Sequence, residues 1–63
     1  MNTYDIRFVD DNGRIKSVKF ASTLSGDNIT AEIVRNRTVT VTDHKTRITH
    51  VIPSSRIVSV EKL

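Results

Sequence analysis

Two alternating apolar–polar runs joined by a short turn constrain this chain more than any other feature. Tyr4, Ile6 and Phe8 alternate with Asp5, Arg7 and Val9, and after Asp10-Asp11-Asn12-Gly13-Arg14 the run Ile15–Phe20 resumes the alternation. A period of two places successive side chains on opposite faces of a strand, so the segment reads as a hairpin with one apolar face. The Asn12-Gly13 pair first suggests a two-residue turn. That turn sets Phe8 opposite Ser17 and Arg7 opposite Val18, and the apolar face is lost because a one-residue slip reverses every side chain. A three-residue loop, Asp11-Asn12-Gly13, keeps the face if Gly13 takes the left-handed position of a G1 bulge. It predicts Ile6 opposite Val18, Tyr4 opposite Phe20, and Asp5 opposite Lys19 on the outer side.

The same period runs through most of the remaining chain. Residues 29–34 read as a strand with Ile29, Ala31 and Ile33 inward, since four of the six are β-branched. A short helix over 28–35, capped by Asp27, is the alternative, because Ile29 and Ile33 also stand four apart. Asn36 then suits the left-handed position of a turn. In Thr38–Thr42 the valines face in and the threonines out. Pairing Val41 with Ile48, Thr40 with Thr49 and Val39 with His50 leaves a four-residue loop, Asp43–Thr46. Pro53 cannot donate to a ladder, and Pro53-Ser54-Ser55 suits a 3₁₀ turn. A last strand follows, with Val58 and Val60 inward.

Sixty-three residues make one domain, 1–63, close to the lower size limit for folding without a staple. There is no Cys, which rules out disulfides and fits a reducing compartment. Edge pairing with a second copy is a common remedy for so thin a core, so a homo-oligomer is a candidate state. No apolar run approaches the ~18 residues of a membrane span, and the N-terminus lacks the layout of a signal peptide. The expectation is a soluble cytoplasmic protein. Its predicted fold is all-β: a small SH3-like or Sm-like barrel of five to six short antiparallel strands with a 3₁₀ turn before the last.

The stretch His44-Lys45-Thr46-Arg47-Ile48-Thr49-His50-Val51-Ile52-Pro53-Ser54-Ser55-Arg56-Ile57-Val58-Ser59-Val60 resembles the end of bacterial Sm-like RNA chaperones of the Hfq type. That family closes with a lysine-bearing turn, an apolar strand ending in Val-Val-Pro-Ser, and a short last strand. The resemblance implies an RNA contact at Lys45 and matches Val51–Ser54 to the Val-Val-Pro-Ser motif. Thr46 stands where the family has a histidine, and the Asp10–Arg14 hairpin replaces the family's N-terminal helix.

Charge is uneven along the chain. Residues 1–34 hold four basic and five acidic side chains, and residues 35–63 hold six basic and two acidic, leaving −1 and +4. Such asymmetry points to a polyanion or an acidic partner for the second half. Strand geometry gathers Arg35, Arg37 and Arg56 at one rim and places Lys45 and Arg47 about 17 Å away, at the far end of a five-residue strand. The lead expectation is therefore a non-enzymatic module that binds RNA or DNA through phosphates at these five residues. The alternative is a protein-interaction module, an adaptor or small inhibitor, that binds through an exposed strand edge. No catalytic residues are assigned, because no nucleophile elbow or His–Asp cluster is present. Neither a cofactor nor a metal is expected: the two Gly form no phosphate loop, and Asp43-His44 reads as an ordinary turn.

Overall fold

The structure, a computed structural model, describes residues 1–63 throughout. Its elements are β1 (Asn2–Val9), β2 (Ile15–Ser22), α1 (Gly26–Arg35), β3 (Thr38–Thr42), β4 (Thr49–Pro53), a 3₁₀ turn (Ser54–Arg56) and β5 (Ile57–Lys62). β1 lies between β2 and β5 in a three-stranded antiparallel sheet, while β3 and β4 form a separate two-stranded sheet. The chain is mostly β, and the two sheets do not close into a barrel. No helix is long and apolar enough to cross a membrane.

The first hairpin has the predicted register: Tyr4 pairs with Phe20, Asp5 with Lys19 and Ile6 with Val18. Gly13 sits at φ +78°, and its amide donates to the Asp10 carbonyl at 3.0 Å. The Asp10 carboxylate accepts from the amides of Asn12 and Arg14, each at 2.9 Å, so the turn carries its own local bonds. Tyr4, Ile6, Val18 and Phe20 then supply four of the seven buried core side chains, with Ile29, Val41 and Ile52 completing the set. Tyr4 stacks on Phe20 with ring centroids 5.8 Å apart, and its hydroxyl donates to the Leu24 carbonyl at 2.7 Å. That bond gives the buried phenol a partner and ties the loop before α1 to β1.

Residues 29–34 are helical, so the strand expected there is corrected, and the cap is Ser25 rather than Asp27. Ser25 Oγ accepts from the Asn28 amide at 3.4 Å, and Asp27 stands in the first turn, where a negative charge suits the helix dipole. The helix places Ile29 and Ile33 on one side against the core while Val34 remains 81% exposed. Burying one stripe outweighs the weak β preference of the branched residues. Asn36 is extended (φ −105°) rather than left-handed. It ends the helix with its side chain, whose Nδ2 donates to the Glu32 carbonyl at 2.8 Å and to the Glu32 carboxylate at 3.1 Å.

The second hairpin keeps the predicted faces but slides by two residues. Val41 pairs with His50 and Val39 with Ile52, instead of Val41 with Ile48 and Val39 with His50. The loop is still four residues long, now His44–Arg47, closed by the Asp43 amide donating to the Ile48 carbonyl at 2.9 Å. The slide brings Ile52, 1% exposed, into the core and leaves Ile48 57% exposed. In β5 the pairing shifts between Arg7 and Phe8, so Phe8 meets Ile57 while Arg7 meets Ser59. Val58 is the extra residue of this bulge and points outward, 59% exposed, whereas Ile57 and Val60 pack on the core. The inward assignment of Val58 is thereby corrected.

The two glycines should respond oppositely to alanine. A Cβ on Gly13 meets nothing within 4 Å, so Gly13→Ala reports the left-handed backbone alone and should cost about 1–2 kcal/mol. Gly26 begins the helix without a positive φ and is equally uncrowded, so Gly26→Ala should stabilise by about 0.4–1 kcal/mol. Urea denaturation of both variants checks the pair of signs.

Candidate binding edge and basic ends

Each residue of an antiparallel ladder points both its backbone groups either at its partner strand or away from it. The Asp43–Ile48 bond and the Ser54 amide donating to the Arg37 carbonyl at 2.9 Å fix the phase in the second hairpin. Residues 37, 39, 41 and 43 of β3 and its flanks face β4. Thr38, Thr40 and Thr42 therefore aim their N–H and C=O groups away from β4, and β3 has no other strand partner. In β2 the same reasoning turns Lys19 and Ala21 away from β1. The Lys19 carbonyl is taken by the His44 amide at 3.1 Å, with the His44 ring Nδ1 at 3.2 Å. This contact pins the β3–β4 loop to β2.

Beyond that pin the two free edges border a groove of about 440 Å³. Its walls are Phe20–Ser22 of β2 and Thr38–Thr42 of β3, with Ile29 and Ile33 of α1 as apolar floor. Glu32 and Asn36 stand at the end near Arg35 and are already bonded to each other.

The five basic residues singled out in the sequence occupy the two ends of β3. At one end the Ser54 amide bonds to Arg37, and Ser54 Oγ donates to the Asn36 carbonyl at 2.5 Å. These bonds bring the chain at 54–56 against 36–37. The Arg56 guanidinium, however, turns to the Asp11 carboxylate of the first hairpin loop, and Arg35 has Glu32 at 3.9 Å. Arg37, Lys45 and Arg47 form no ion pair. The backbone of Lys19, which the sequence reading did not single out, lies against the loop that carries Lys45 and Arg47, because His44 docks on its carbonyl. No local pattern announces that contact, since Lys19 and His44 are 25 residues apart. The groove was hidden as well, because its floor depends on 29–34 being helical. Tyr4, Phe8 and Phe20, the three aromatic residues, all belong to the core or pack on it.

Asp43 organises the loop. Its Oδ1 accepts from the Lys45 amide at 2.8 Å and the Thr46 amide at 3.0 Å, and Thr46 Oγ accepts from the Ile48 amide at 3.3 Å. The Thr46 amide, then that of Lys45, holds the Asp43 carboxyl below the usual carboxylate range. The Arg14 amide does the same for Asp10. Arg47 closes the loop at φ +63°, a region that favours glycine.

Comparison with known protein families, with curated proteins and with solved structures finds no match to this chain.

Two measurements follow from the loop. Asp10 and Asp43 bind protons more weakly folded than unfolded, so their stabilisation is complete above the ordinary Asp pKa of about 3.9. It is lost as pH falls through the lowered folded values. Asp43→Asn and Asp10→Asn should therefore each flatten the loss of stability on acidification, read as thermal midpoint against pH. Arg47→Gly should relieve the left-handed strain and raise stability by about 1 kcal/mol, measured by urea denaturation. Unchanged or reduced stability would show that the Arg47 side chain contributes to the fold.

Proposed function

We propose that this chain is a non-catalytic binding module that adds an extended segment of a protein partner to the free edge of β3. One observation carries the reading: the backbone groups of Thr38, Thr40 and Thr42 face a groove with an apolar floor rather than a neighbouring strand. Unpaired edge groups supply main-chain hydrogen bonds to an added strand, and alternate side chains of that strand find the floor. The strand order supports describing the fold as an SH3-like or Sm-like barrel left open between β2 and β3. The edge is not blunted in the usual way, because β3 itself carries neither Pro nor charge. On the outer edge of β4, by contrast, Pro53 interrupts the donors. A cytoplasmic location belongs to the same reading, and the cysteine-free composition fits a reducing compartment.

Nucleic-acid backbone binding is the second reading, favoured by the unpaired cations Arg37, Lys45 and Arg47. It stands lower for two reasons. Arg56 and Arg35 already have carboxylate neighbours, and no exposed aromatic is available for base stacking.

Heteronuclear NMR separates the two. A blocked, uncharged peptide of alternating Val and Thr should shift the amides of 38–42 and slow hydrogen exchange at Thr38, Thr40 and Thr42, whose N–H groups face away from β4, at low and high salt alike. Mixed-sequence RNA and DNA should shift at most the basic ends, and only at low salt. A peptide without effect at millimolar concentration would overturn the edge reading. Salt-sensitive shifts with nucleic acid at Arg37, Lys45 and Arg47 would then favour the second.

A further inference from the structure

The charges around the groove say what kind of segment it takes, an inference that rests on the edge-binding reading. β3 is five residues long, so a strand laid along it covers about 17 Å. Arg37 lies immediately before this edge with Arg35 behind it, and Lys45 and Arg47 lie just after it with the Lys19 backbone alongside. Each end also holds a carboxylate, Glu32 at one and Asp43 at the other, and Asp5 stands opposite Lys19 in the first hairpin. Asp43 accepts from its own loop amides, and Glu32 holds Asn36 and faces Arg35. Both ends of the edge are therefore net positive by one charge, Arg35 and Arg37 against Glu32 at one and Lys45 and Arg47 against Asp43 at the other, while the stretch between them is neutral threonine and valine. On the inner side the groove offers Phe20, Val39, Val41, Ile29 and Ile33.

We infer that the partner is an extended acidic peptide segment, with apolar side chains at alternate positions over about five residues and Asp or Glu at both ends. The inner positions fill the floor, the outer positions lie beside Thr38, Thr40 and Thr42, and the two acidic ends meet Arg37 and Lys45–Arg47. Acid at both ends suits the edge in either strand direction. A second copy of this chain fits poorly. The flanks of its own β3, Arg35–Arg37 and Asp43–Arg47, are both net positive, and its β4 would meet β2 across the groove.

Three blocked nine-residue peptides test this, sharing a Val/Thr alternating centre and differing only in flanks of two acidic, two neutral or two basic residues. By NMR titration of the full chain at low salt, the acidic-flanked peptide should bind roughly tenfold tighter than the neutral one, from a few exposed ion pairs. The basic-flanked peptide should bind weakest. The double variant Arg37→Glu/Lys45→Glu should invert the order. N-methylation of alternate residues in the acidic peptide, which removes edge donors without touching the protein, should abolish the protection gained at the Thr38, Thr40 and Thr42 amides. Equal binding of all three peptides would overturn the acidic preference and leave the edge reading in place, whereas no binding by any of them would overturn both. Inorganic polyphosphate reproducing the shifts at Arg37, Lys45 and Arg47 and displacing the acidic peptide, with no protection gained at Thr38, Thr40 and Thr42 in either complex, would assign the basic ends to phosphates instead.

Discussion

Ile6 has no accessible surface, and the rest of the fold depends on its position in the middle of β1. On one side it pairs with Val18 and on the other with Val60, so a single side chain joins the first hairpin to the end of the chain. Ile6 can hold that place only because the Asp11–Gly13 loop sets a register in which Tyr4, Ile6 and Phe8 share a face. A slip of one residue would turn all three to solvent and present Asp5 and Arg7 to the core. The bulge at Val58 matters for the same reason, since it lets Ile57 and Val60 both face inward across from Phe8 and Ile6. On this three-stranded platform α1 contributes Ile29, and the β3–β4 hairpin contributes Val41 and Ile52. A two-stranded hairpin alone is marginal in water, so that packing is what holds β3 and β4 in place.

The open edge of β3 and the helix border the same groove. β2 and β3 meet at the Lys19–His44 contact, and beyond it Ile29 and Ile33 of the helix line the space between them. What results is an apolar floor bordered by backbone groups with no strand partner, an arrangement costly to leave dry but harmless in contact with water or an added strand. The basic residues gain meaning from the same geometry. They are not a continuous track but two ends of one edge, with Arg56 drawn off to the Asp11 turn. A phosphate backbone would call for a continuous positive surface, whereas an extended peptide needs charge only where its ends lie.

Legibility in the sequence followed the range of the interactions. The first hairpin could be read completely, because its turn, its register and its apolar face lie within about twenty consecutive residues and agree with one another. The 3₁₀ turn after Pro53 was equally local. In the second hairpin the faces were legible but the register was not, because Ile48 and Ile52 are both apolar and occupy the same face. Asp43 capping the loop and Ile52 reaching the core select between them. Residues 29–34 fit a strand and a helix equally well on pattern, and the β-branched count pointed the wrong way. The five basic positions were visible as charges, but their partners, Asp11 for Arg56 and Glu32 for Arg35, were not.

By itself the sequence determined a mostly β chain, a hairpin of known register, an all-inward aromatic set and a basic second half. These are matters of period, turn chemistry and composition, which act over a few residues. Only the tertiary structure decided that 26–35 is a helix, that β3 keeps one edge free, and that His44 docks on the Lys19 carbonyl. Each of those outcomes depends on which of several similar apolar residues is buried, and that choice is made by the whole core filling at once rather than by any segment alone.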